Sequence, residues 1–138
     1  MRIIIDSNTL FSALIKDSTT RQLILKYDDT FLFPSYIFEE MKKHENELYK
    51  KSGMNKKDFN TFLNLILKKV EIVPKATLYP YKKEAQELVK NIDPDDATFI
   101  ACALAYPNSI IWSNDKKLKK LKDIKVLSTK EIIKIIKA

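Results

Sequence analysis

The residues of this sequence best placed to do chemistry are four acids, Asp6, Glu40, Asp96 and Asp115. Asp6 follows the apolar run Ile3-Ile4-Ile5 directly, and Asp115 follows Ile110-Ile111-Trp112 after Ser113 and Asn114. Asp96 shares a helical stripe with Phe99, Ile100 and Ala103, so it points inward, while Asp95 lies one position round toward solvent. Glu40 shares a stripe with Ile37, Met41 and His44, whereas Glu39 neighbours Ser35, Lys42 and Lys43. A carboxylate on an otherwise apolar face costs desolvation energy unless it is paired or bound to a cation. Four such groups converging without matching bases would repel one another, and a divalent cation relieves that repulsion. Oxygen-only donors suit Mg²⁺ or Mn²⁺ rather than zinc. Such an ion can acidify a bound water, hold a phosphate oxygen and stabilise a leaving alkoxide, which together hydrolyse a phosphodiester with no protein nucleophile. Each acid also has a purely structural reading. Asp6 and Asp115 can cap the helices that follow them, and Asp93, Pro94 and Asp96 fit a helix start. The metal reading rests on the joint pattern.

The elements that must position these acids alternate. Apolar strands are predicted over 2–5, 31–33 (closed by Pro34), 70–73 (stopped by Pro74), 109–112 and 125–127. Helices are predicted over about 9–15, 19–27, 35–50, 56–69 capped by Asn55, 78–90, 93–106, 116–121 and 129–137 capped by Ser128. Strands that are apolar throughout and separated by helices imply a parallel sheet covered on both faces, in which ligands bind at the carboxyl ends of the strands. No linker or repeat divides the chain, so residues 1–138 read as one domain.

Composition narrows the chemistry. One glycine, Gly53, removes the phosphate-binding and dinucleotide loops, which need several. One cysteine and one histidine exclude an internal disulfide and a cysteine or histidine zinc cage. No apolar run approaches the roughly 20 residues of a membrane span, so a cytoplasmic protein is expected. The formal charge is +7, and nine lysines against Asp123 and Glu131 in residues 116–138 supply all of it. Lys116 and Lys120, one helical turn apart directly after Asp115, are candidates to grip the phosphates of a polyanion; a solvated lysine face is the alternative.

At this point the residues resemble a known family. Ile3 to Asn8 is similar to the opening strand and Asp-Thr/Ser-Asn motif of PIN domains, and Asp95 to Leu104 resembles their Asp-Ala-x-x-x-Ala-x-Ala-Leu helix. Ile111 to Asp115 resembles the strand ending in Thr/Ser-x-Asp, and Pro34 to Met41 matches the segment that carries a further acid, with Glu40 in its place. The resemblance implies a three-layer α/β/α sandwich with Rossmann-like topology on a parallel sheet of about five strands. It also implies a metal-dependent ribonuclease; because a flexible strand can bend its phosphate into a recessed acidic site, endonucleolytic cleavage of single-stranded RNA is expected. Asp6, Glu40, Asp96 and Asp115 would hold the metal, with Ser7, Asn8, Ser113 and Asp95 in support. Small members are often toxins held inactive by an antitoxin, which makes an antitoxin a candidate partner beside RNA. In this chain Lys116-Lys117-Leu118 replaces the Asp-x-x-Phe ending of many members, and Asp95 beside Asp96 leaves the ligand open by one residue.

Two other functions compete. A phosphoacceptor receiver domain would need an acid at the end of its third strand, where this chain has Val73-Pro74-Lys75. A non-catalytic PIN-like RNA-binding or scaffolding module would keep the fold without turnover. Among the remaining signals, Cys102 between two alanines reads as core and His44 as peripheral. Trp112 reads as core with base stacking as the alternative, and Phe11 and Tyr36, near the expected mouth of the site, carry the same pair of readings. The isoleucines of the last helix cover an arc wider than one stripe, which suggests a homodimer contact.

Overall fold

The computed structural model describes residues 1–15, 18–92 and 96–136. Five short strands, β1 (Ile3–Ile5), β2 (Phe31–Pro34), β3 (Val70–Val73), β4 (Ile110–Trp112) and β5 (Lys125–Leu127), form one sheet in the order β3-β2-β1-β4-β5. Every neighbouring pair is parallel, and Ile5 of β1 registers with Trp112 of β4. The expected sheet of about five parallel strands, with helices on both sides, is therefore what the chain forms.

The three central strands are β2, β1 and β4, and their residues are fully buried apart from a trace at Ile110. That burial explains their unbroken apolar sequence, because both faces of a parallel sheet are covered. The two edges are less apolar. Glu71 of β3 is exposed and pairs with Arg2 at 3.3 Å, and Lys125 opens β5 at the opposite edge. Charged residues on edge strands discourage pairing with another chain.

The connections fall into two helical groups. Before β3 come α1 (Ser7–Ile15), α2 (Ser18–Lys26), α3 (Ser35–Lys43), α4 (Glu45–Ser52) and α5 (Lys56–Leu67). Between β3 and β4 come α6 (Lys75–Leu78), a 3-10 turn over Tyr79–Tyr81, α7 (Lys82–Val89) and α8 (Ala97–Ala105). Helix α1 packs on α2, α4 and α5, while α8 packs on α6 and α7 and lies against β1, β2 and β4. Right-handed crossovers account for the division, since the chain steps one way along the sheet to β3 and then reverses past β1 to β4. The last helix, α9 (Thr129–Ile136), packs on β5 and α2. No helix among the described residues is long and apolar enough to cross a membrane.

Three helical expectations are corrected. The helix expected over 35–50 breaks at His44, which leaves helical geometry at φ −106° and ψ 16°. Helix α3 follows β2 and β3, whereas α4 packs on α1 and α5, and one straight axis cannot serve both. The break lets Met41 and Leu48 both reach the core. The helix expected over 78–90 is divided into the end of α6, the 3-10 turn, which takes Pro80 at a position needing no amide donor, and α7, which starts at Lys82. The helix expected over 116–121 is only a 3-10 turn at Leu118–Lys120, anchored by buried Leu118. Lys116 precedes it, so Lys116 and Lys120 do not share an α-helical face.

Candidate active site

Strand order reverses between β1 and β4, which opens a crevice at their carboxyl ends. Asp6 and Ser113 are the first residues beyond the two strands. The Asp6 amide continues the ladder by donating to the carbonyl of Trp112 at 3.2 Å, and the Ser113 amide donates to Leu127 at 3.0 Å. The backbone on both sides of the crevice is thus fixed by the sheet.

Asp6 is only 9% exposed. Its Oδ1 accepts the amide of Thr9 at 2.9 Å, so it does cap α1, yet no basic side chain pairs with it among the described residues. Ser113 is completely buried, and its Oγ accepts the Asp115 amide at 3.1 Å. That contact turns the chain back over the end of β4. Asp115 is half-buried, and its Oδ1 accepts the Lys117 amide at 2.9 Å. Both acids border the crevice; Asp6 also caps α1, whereas the Asp115 carboxylate closes a local turn and no side chain caps the 3-10 turn that follows.

Glu40 sits on α3, the helix that leaves β2, and is half-buried. It divides two cavities. One, of about 390 Å³, also touches Ser7, Phe11 and His44; the other, of about 640 Å³, also touches Ala97, Thr98 and Ala101 of α8. Asp6 adjoins Ser7 and Asp96 adjoins Ala97, so the chain brings all four acids to one end of the sheet. Glu40 also pairs with Lys43 at 3.4 Å, but that contact is exposed and worth less than about 1 kcal/mol. The half-buried Asp96 immediately precedes α8, with its Oδ2 shielded from solvent. Asp95, like Asp93 and Pro94, lies outside the described residues.

The donor set is all oxygen and suits a hard divalent ion, and Asp6, nearly buried and with no basic partner among the described residues, is the residue such an ion would most relieve. Among the described residues no three acidic, histidine or cysteine side chains stand close enough to share one ion. Ser7 is half-buried and lines a cavity with Glu40, while Asn8 is exposed. Lys116 and Lys120 are exposed beyond β4. Trp112 is fully buried against Phe31 at 5.6 Å between ring centres, which removes its base-stacking alternative.

Other residues here were not legible as a site in the sequence. Asn114 accepts the Thr129 amide at 2.8 Å and donates to Thr129 Oγ1 at 3.1 Å, tying the crevice to α9. Nothing local signals a contact fifteen residues away. Lys75, Tyr79, Lys82 and Gln86 line the larger cavity. Their spacing of four, three and four was the available signal, and Pro80 obscured it.

No curated protein matches the chain in sequence. Among solved structures it is similar to a chain of VapBC2 from Rickettsia felis, crystallised bound to a DNA fragment from the promoter, with 18% identity and a TM-score of 0.68 over 93% of this chain and 98% of that one. The family model described as PIN domain matches residues 4–133, in a family whose members are generally nucleases that use divalent metal ions. This chain belongs to the PIN domain family.

Proposed function

We propose that the protein, as one PIN-like unit over residues 1–138, is an Mg²⁺- or Mn²⁺-dependent endoribonuclease that hydrolyses phosphodiester bonds of single-stranded RNA. The observation that carries this reading is the placement of Asp6 and Ser113–Asp115 at the carboxyl ends of adjacent strands where the strand order reverses. Asp6, Glu40, Asp96 and Asp115 would hold the metal, with Asp95 as the neighbouring carboxylate. When bound, the ion supplies an acidified water and a counter-charge for the phosphate. Ser113 fixes the turn that carries Asp115, Asp6 contributes from the rigid end of β1, and Ser7 and Asn8 extend the site along α1. Lys116 and Lys120 would meet phosphates and offset the repulsion between acids and polyanion. A flexible single strand can bend a phosphate into a recessed acidic site, which a duplex cannot do.

The likeness to a VapBC2 chain prompts the further reading of a toxin, with an antitoxin as partner, working in the cytoplasm alongside its RNA. The isoleucine face of α9 supports a homodimer, since Ile133, Ile135 and Ile136 remain half-buried while Ile132 is enclosed. A second reading, a non-catalytic RNA-binding or scaffolding module, is favoured by the lack of three mutually close acids among the described residues. Incubating matched single- and double-stranded RNA with Mn²⁺ separates them. Cleavage confined to the single strand and lost in Asp6→Asn is expected. No cleavage by the wild-type chain would favour the module, and faster cutting of duplex would refute the substrate assignment.

A further inference from the structure

The larger cavity is a cleft with two helical walls. Lys75 of α6, Tyr79 of the 3-10 turn, and Lys82 and Gln86 of α7 all line one wall of it. The facing wall is α3, with Tyr36 and Glu40 one turn apart, and the small residues Ala97 and Ala101 of α8 leave depth between the walls. Tyr79 is 76% exposed and Tyr36 50% exposed, whereas the other aromatic rings among the described residues are buried or half-buried. The Lys75 ammonium lies 5.7 Å from the centre of the Tyr36 ring and 3.6 Å from Glu39. Along this wall an exposed ring stands in sequence between two lysines, and the cleft also reaches Glu40, proposed above as a metal ligand.

Resting on the nuclease reading above, we infer that this cleft is the path of the single-stranded RNA, with Tyr79 and Tyr36 as base-stacking platforms and Lys75 and Lys82 as phosphate contacts. Stacking on exposed rings interleaved with cations is how proteins hold single strands without regard to sequence. The alternation of cation, ring and cation suits the alternation of phosphate and base. An apolar protein segment would use the floor of Leu78 and Ile37 but would gain little from the exposed ammonium groups. The strand would cross Glu40 and leave past Asp115 toward Lys116, so the two basic groups serve different nucleotides.

Binding of a fluorescein-labelled twelve-nucleotide oligouridylate to the full chain, followed by anisotropy in EDTA, isolates this site from cleavage. Tyr79→Ala should weaken binding by about 5- to 100-fold, and Tyr79→Phe, which keeps the ring, should stay within about twofold of wild type. Lys82→Ala should make the slope of log K against log salt shallower by about 0.7. Retained affinity in Tyr79→Ala and Tyr36→Ala would overturn the inference and leave the cleft to another occupant such as a protein partner. The two proposals fail separately. RNA cleavage with Tyr79→Ala binding unimpaired removes only the cleft, whereas ring-dependent binding by a chain that never cleaves removes only the nuclease reading.

Discussion

Asp6 shows how little separates a capping residue from a metal ligand at the scale of one side chain. Its Oδ1 is held by the Thr9 amide, which fixes the carboxylate at the end of β1, nearly buried and with no basic partner among the described residues. Sequence position alone gave its depth, because three isoleucines must precede it inside the sheet. Asp115, by contrast, accepts the Lys117 amide, and Glu40 meets Lys43 on the surface, contacts that no sequence pattern specifies. The reading of Cys102 as core holds: the residue is enclosed, and burial pushes its thiol up to about 12. At pH 8 the native thiol should therefore resist a disulfide exchange reagent, with full labelling only after unfolding in guanidinium. Rapid labelling of the folded protein would contradict this burial. Glu131 is the opposite case. The Lys119 ammonium, then the amide and hydroxyl of Ser128, lower its carboxyl to about 2. A depressed folded-state value stabilises the fold above the ordinary carboxylate range and loses that contribution as pH falls through about 2. Thermal melts of wild type and Glu131→Gln should differ most above about pH 4.5 and converge toward pH 2. A gap independent of pH would show that the charge is not what matters there.

The alternation of elements was readable because the central strands are apolar on both faces and end abruptly at Asp6, Pro34 and Ser113. Where helices ended was less readable. His44 has no sequence mark as a break; it is one because α3 and α4 answer to different neighbours, which is a tertiary demand. The start of α9 combines both kinds of cap. Ser128 and Glu131 form a local pair that the sequence signals, with the Ser128 amide donating to Glu131 at 3.0 Å. Asn114 adds a distant cap through the Thr129 amide, and Trp112 donates to Thr129 Oγ1 at 3.1 Å. Asn114→Ala should cost about 1 kcal/mol, and lower the melting temperature by roughly 4 °C, measured by circular dichroism. An unchanged melting temperature would show that Ser128 and Glu131 suffice. The turn at Leu118–Lys120 changes how the lysines act, because Lys116 and Lys120 must reach phosphates from separate positions and not from one helical face. Replacing both with Ala should still weaken RNA binding and flatten its salt dependence by up to about 0.7 per lost contact, with turnover at saturating RNA little changed.

Across the whole molecule, three remote stretches of sequence are carried to one end of the sheet by its topology: the end of β1, the first turns after β2, and the segments around α8 and β4. The strand order β3-β2-β1-β4-β5 places β1 in the middle, with β2 and Glu40 on one side and β4 and Asp115 on the other. The sequence carried this much through the order of its motifs. It did not carry the cleft, which exists only because α6 and α7 stand opposite α3. Whether these acids hold a metal is read out by isothermal titration of Mn²⁺ into wild type and Asp6→Asn. Wild type should bind Mn²⁺ and release heat that saturates, and Asp6→Asn should bind at least about tenfold more weakly, as loss of a charged ligand from an oxygen-donor site demands. Equal affinity in the two proteins, or no saturable binding in either, would mean that these acids do not hold a metal.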